Sequence, residues 1–148
     1  MVILITFLLL TFASLGSAAP ASRDRVTSAP AVVSNEQVHD WLHLWQKRLH
    51  LEEWKVEVKI VRIWDLEQGT LGHIDWSVPH KTAVIKVLNP ADYELPRDRV
   101  PADMELSIVH ELVHLLCPEG GHGRLFTAFM LAYLPDWEER QQQLYTFR

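Results

Sequence analysis

The sequence predicts an α+β domain in which one N-terminal helix is followed by three strands and then by helices. Three observations carry this. Val38, Leu42, Trp45 and Leu49 recur at helical spacing. Trp54, Val56, Val58 and Ile60 alternate with Lys55, Glu57 and Lys59, the pattern of a half-buried strand. After residue 100 the apolar positions return to a helical run interrupted only by proline and glycine.

The elements follow in order. Ser34 with Gln37 three residues on has the form of a capping box and opens the first helix, whose stripe Trp41 and Leu44 widen. The alternating strand Trp54 to Ile60 comes next, then strands from Leu71 to Trp76 and from Thr82 to Leu88, separated by Ser77 to Lys81. Gly69 and Gly72 mark a bend or a place of close backbone approach. Asn89-Pro90 ends the third strand. A helix is expected from Asp103, acting as its cap with Glu105 in the first turn, to Leu116, because Pro118 disfavours helical geometry at Cys117. Pro118 to Gly121 forms a turn, a further helix runs from Gly123 to Leu134, Pro135 breaks it, and a last helical stretch reaches the C-terminus.

A chain of 148 residues accommodates one ordinary domain, and the six Trp in a 48% apolar composition give it a core to bury. The formal charge of −5, with no basic block, removes the electrostatic footprint of a nucleic-acid binder. A single cysteine, Cys117, precludes an intrachain disulfide without deciding the compartment.

Residues 1–19 read as a signal peptide: Val2 to Leu15 is nearly all apolar, shorter than the ~20 residues of a comfortable membrane span, and Gly16 to Ala19 suits signal peptidase. No Lys or Arg precedes the apolar run, so an uncleaved anchor or a start codon placed too far upstream are the alternatives. The signal reading implies a secreted or periplasmic protein with no stable membrane span; the alternative is cytoplasmic. Residues 20–33, rich in Ala, Ser and Pro, read as a linker, and the folded domain as residues 34–148.

The chemistry concentrates in His110-Glu111-Leu112-Val113-His114. On a helix, four-residue spacing stacks the two imidazoles on one face, a turn apart, where they can take two corners of a zinc tetrahedron. Glu111 is placed to reach a zinc-activated water without ligating the metal and to remove its proton as general base. The other residues from Ile108 to Leu116 are apolar, so the polar groups of this buried helix need partners, and a metal supplies them. A catalytic zinc keeps three protein ligands and one open position. His122 is the third candidate, brought back over the site by the Pro-Glu-Gly-Gly turn. Glu119 is the runner-up, and Cys117 is more readily an apolar plug than a ligand. His39, His43, His50, His73 and His80 show no ligand spacing that includes a following glutamate.

The His110 to His114 run is the zincin signature, and Gly121-His122-Gly123-Arg124-Leu125-Phe126 resembles the His-Gly-x-x-Phe/Trp segment of the SprT-like metallopeptidases. That resemblance implies a minimal zincin-like fold and a third zinc ligand at His122. It also implies hydrolysis of peptide or protein substrates, with an extended substrate pairing to an edge strand, either Leu71 to Trp76 or Thr82 to Leu88. Besides zinc, oxyanion stabilisation would come from Tyr133, His80 or Arg124. The zinc ribbon of many SprT-like proteins is missing, the acidic charge does not support their association with DNA, and the secretory-looking start is foreign to them. Metzincins differ in placing glycine where Cys117 stands and their third histidine two residues before His122. The expectation is therefore a zinc-dependent endopeptidase. The alternative is a regulatory or sensor domain that keeps the fold and the metal without proteolysis.

Overall fold

The computed structural model describes residues 33–94, 96–117 and 121–146. Its elements are α1 (Asn35–Arg48), β1 (Lys55–Val61), β2 (Gly72–Ser77), β3 (Thr82–Leu88), α2 (Val100–Leu116), α3 (Arg124–Tyr133) and α4 (Trp137–Thr146), with short 3-10 turns at Ile63–Asp65 and Pro90–Asp92. The α+β class and the helix, three-strand, helices order are as the sequence predicts. The signal segment and the linker through residue 32 lie outside the described residues, as does Glu119.

Ser34 caps α1 as expected, its hydroxyl accepting from the Gln37 amide at 3.1 Å. Val33 before the cap and Val38 in the next turn are both buried, in the positions of a hydrophobic staple. Val38, Leu42, Trp45 and Leu49 form the inward stripe. Trp41 packs against it, but Leu44 points outward and is exposed.

The strands run in the order β1-β3-β2, with β1 parallel and β2 antiparallel to β3. Alternation sends Ala83, Ile85 and Val87 of β3 inward. Their partners make three rows across the sheet: Val56–Ala83–Trp76, Val58–Ile85–Ile74 and Ile60–Val87–Gly72. α1 and α2 pack against the sheet, and α3 packs against α2. Because β3 is flanked on both sides, the expectation that Thr82 to Leu88 could pair with a substrate is corrected. Its ladder groups are already used, whereas β2 has a strand neighbour on one side only among the described residues.

α2 crosses the inner face and supplies the densest part of the core: Met104, Ile108, Val109, Leu112 and Val113 are completely buried. It starts at Val100, not near Asp103. Pro101 falls in the first turn, where the amides have no helical partner in any case, so the proline is tolerated there and the helix gains a turn. Asp103 and Glu105 consequently serve other purposes. Asp103 is buried, and desolvation raises its carboxyl above the usual range. Glu105 accepts the Trp45 indole N–H at 2.8 Å and ties α2 to α1.

Candidate metal centre

α2 presents His110 and His114 on one face, their ring centroids 5.2 Å apart. Past the end of α2, Gly121 takes φ +81°, the left-handed conformation that glycine adopts without penalty, and His122 turns back over that face. The His122 ring lies 4.8 Å from His110 and 5.1 Å from His114 by centroid, and the His110 and His122 Nε2 atoms approach to 2.8 Å. One ligand nitrogen from each ring falls within 4.8 Å of the others. Nitrogens bound to one tetrahedral zinc at ~2.0–2.1 Å stand about 3.3 Å apart, so small ring movements suffice to close on an ion.

The electrostatics suit a cation. Burial, reinforced by the neighbouring imidazoles, pushes His110 down to about 3 and His114 down to about 4. Both rings are therefore neutral at pH 7 and offer lone pairs rather than positive charge.

Phe126 forms the floor. Its ring centroid lies 4.8 Å from His110, 4.7 Å from His114 and 4.8 Å from His122, and its far side meets Trp137 at 6.5 Å. It is 1% exposed, which makes it a rigid support that fixes all three rings against one surface. In the sequence Phe126 closes the His-Gly-x-x-Phe segment, and its place four residues after His122, within the first turn of α3, is the local signal of this role.

Glu111 is buried beside His110, and burial pushes its carboxyl up to about 7. The space it occupies is made by Gly72. A Cβ built on Gly72 would stand 2.7 Å from Glu111 Oε1, 3.2 Å from its Cγ and 3.3 Å from its Cδ. Gly72 belongs to the inner row Ile60–Val87–Gly72, so the carboxylate fills the gap left where β2 has no side chain. This is the close approach that the glycine suggested. Gly72→Ala is expected to displace the carboxylate, and a misplacement of about 1 Å costs up to ~100-fold. A 10- to 100-fold fall in casein turnover, with zinc content and far-UV circular dichroism unchanged, is the expected outcome; an unaltered rate would show that the Glu111 position is not critical.

The other candidates separate. Cys117 is buried in the apolar core, where burial raises its thiol, and it is not among the described groups that converge on the histidines. His80 sits in the β2–β3 turn, at about 3.3 Å per residue roughly 17 Å or more along β2 from Gly72. It is too remote to stabilise an oxyanion at this site. Arg124 is exposed at the start of α3, while Tyr133 is half-buried at its end. His39, His43 and His50 are exposed, and His73 contacts Asp75 at 3.2 Å.

No curated protein matches the chain. Residues 104–147 match the family model described as YgjP-like, metallopeptidase domain. The match begins within α2 and includes His110, Glu111, His114, His122 and Phe126. Over residues 104–147 the chain is thus similar to the YgjP-like metallopeptidase domain, a partial-length match consistent with the SprT-like, minimal zincin family.

Proposed function

We propose that this protein is a zinc-dependent endopeptidase, with His110, His114 and His122 as ligands and Glu111 as general base. The observation that carries the proposal is the convergence of three imidazole nitrogens beside a buried carboxylate. Three imidazole nitrogen donors on one side are the donor set of a catalytic zinc with an open fourth position. An ion held there would acidify water and polarise a substrate carbonyl.

The chain's own groups do the rest. Glu111, with a carboxyl held near neutrality, is matched to taking a proton from the attacking water and returning it to the departing amine. Phe126 keeps the three rings in register. Gly72 places the edge of β2 beside Glu111, so a substrate backbone can hydrogen-bond along that edge and bring a peptide bond to the carboxylate. Polypeptide, and not nucleic acid, is the proposed partner, in keeping with the charge of −5. The apolar start of the chain supports a secreted or periplasmic setting.

The test is digestion of denatured casein by the purified, zinc-loaded chain. Release of peptides that stops on chelation and returns with zinc is expected. A zinc-loaded chain that releases none would overturn the peptidase reading in favour of a sensor domain.

A further inference from the structure

The backbone of β2 fixes which of its residues an added strand would meet. Leu88 N–H donates to Leu71 C=O at 3.0 Å, and these two residues stand opposite each other one step beyond the Gly72–Val87 pair. In an antiparallel pair the hydrogen-bonded positions alternate. His73, Asp75 and Ser77 therefore turn their backbone groups toward β3, and Gly72, Ile74 and Trp76 turn theirs away from it. The other side of β3 agrees. Lys55 N–H donates to Lys81 C=O at 2.8 Å and Asn89 N–H to Val61 C=O at 2.8 Å, so the odd-numbered backbone groups face β1 and the even-numbered ones face β2. Among the described residues no strand lies beyond β2, and no backbone bond to a turn or loop uses Gly72, Ile74 or Trp76. Their amides and carbonyls are in place to pair with an incoming chain.

The same three residues belong to the inner rows of the sheet. Gly72 has no side chain, and the Glu111 carboxylate packs where one would be. Ile74 is buried under the helices. Trp76 stands on the same face but is 37% exposed, because it lies at the far end of the edge strand. Its cross-strand neighbour is the small Ala83. Four residues of strand separate Trp76 from Gly72, about 13 Å at ~3.3 Å per residue.

We infer that Trp76 is a specificity-determining subsite: it receives an aromatic or large aliphatic side chain of a polypeptide paired to the β2 edge, four residues along that polypeptide from the residue facing Gly72. The inference deepens the peptidase reading and rests on it. A chain hydrogen-bonded to Gly72, Ile74 and Trp76 puts every second side chain on the inner face, whichever way it runs. The residue facing Gly72 lies beside Glu111, and the residue facing Trp76 lies along the indole. Aromatic–aromatic and aromatic–β-branched neighbours are favourable cross-strand pairs, and the strand already holds the indole in position for one. The outward face of the edge makes a different demand. There Asp75 is met by His73 at 3.2 Å and by Lys86 at 3.4 Å, so apolar selection falls on the inner-face positions.

Two readouts test this. Full-length, zinc-loaded Glu111→Gln protein is titrated with fluorescently labelled, reduced and carboxymethylated α-casein, alone and with Trp76→Thr or Trp76→Phe added. Threonine keeps a β-branched, strand-forming residue and removes the indole. Trp76→Thr is expected to weaken casein binding about 5- to 30-fold, the loss typical of a principal apolar contact, and Trp76→Phe to restore most of it. The second readout needs no variant at this position: mass spectrometry maps the bonds that the wild-type chain cuts in the same casein. An aromatic or large aliphatic residue about four positions from the cut, always on the same side of it, is expected. Equal affinity of the parent and Trp76→Thr overturns the subsite, and so do cuts without that bias. A parent dimer that Trp76→Thr converts to monomer with casein binding intact also overturns it, since the edge would then pair with a second copy of this chain. Casein binding that needs Trp76, without any cleavage by the wild-type chain, upholds the subsite and overturns the peptidase reading, so the two failures are distinguishable.

Discussion

Replacing Glu111 by Gln is expected to lower casein turnover by about 100- to 10,000-fold, the range that one positioned acid–base group contributes. The amide has the shape of the carboxyl, so it fills the same space against Gly72 and leaves the helix packing unchanged. It cannot accept the proton of an attacking water. Nor is it one of the three converging ligands, so bound zinc is expected to stay at the wild-type level. Folding gives no competing explanation for lost activity: the native side chain is a carboxyl whose ionised form burial disfavours, and a neutral isostere removes that cost. The checks are peptide release from denatured casein and metal content on the same sample. A variant that cleaves at the wild-type rate would contradict the role given to Glu111.

Much of this site was legible because its signals are local. The Ser34 cap, the boundaries of Thr82–Leu88 and the break at Pro135 depend on a few neighbouring residues, and each agrees with the structure. The four-residue spacing of His110 and His114 is a helix property, so it predicts a shared face wherever that helix lies. Boundaries were less secure: β2 is shifted by one residue to Gly72–Ser77, and α2 begins at Val100 because Pro101 is acceptable in a first turn.

Strand order was not legible. The parallel β1–β3 pair and the insertion of β3 between β1 and β2 depend on non-local pairing, so nothing local in the sequence distinguishes the edge strand. Gly72 could be marked as a close approach, but the group that approaches it, Glu111, belongs to a different element of the fold. The ion pair between Arg62, just past β1, and Asp92, beyond β3, likewise joins segments distant in sequence, and no local pattern announces it.

The other large effect concerns the ligands. Groups that only hydrogen-bond to a metal's ligands are typically worth 10- to 100-fold in affinity, so loss of one imidazole from a set of three is expected to cost more than about 100-fold. His122 is the most informative position. It is exposed and lies outside the helices, so His122→Ala removes a donor with little disturbance to the core, whereas His110 and His114 stand on the buried helix. Cys117 provides the contrast: it is nearby in sequence, chemically able to bind zinc, and buried in the apolar core instead.

The most direct measurement is therefore a competition titration of zinc, against a chromogenic chelator, into the full chain and its His122→Ala and Cys117→Ala variants. One zinc per chain, with affinity lost by more than about 100-fold in His122→Ala and retained in Cys117→Ala, is the result that three converging imidazoles require. Wild-type affinity in His122→Ala, or its loss in Cys117→Ala, would contradict the account.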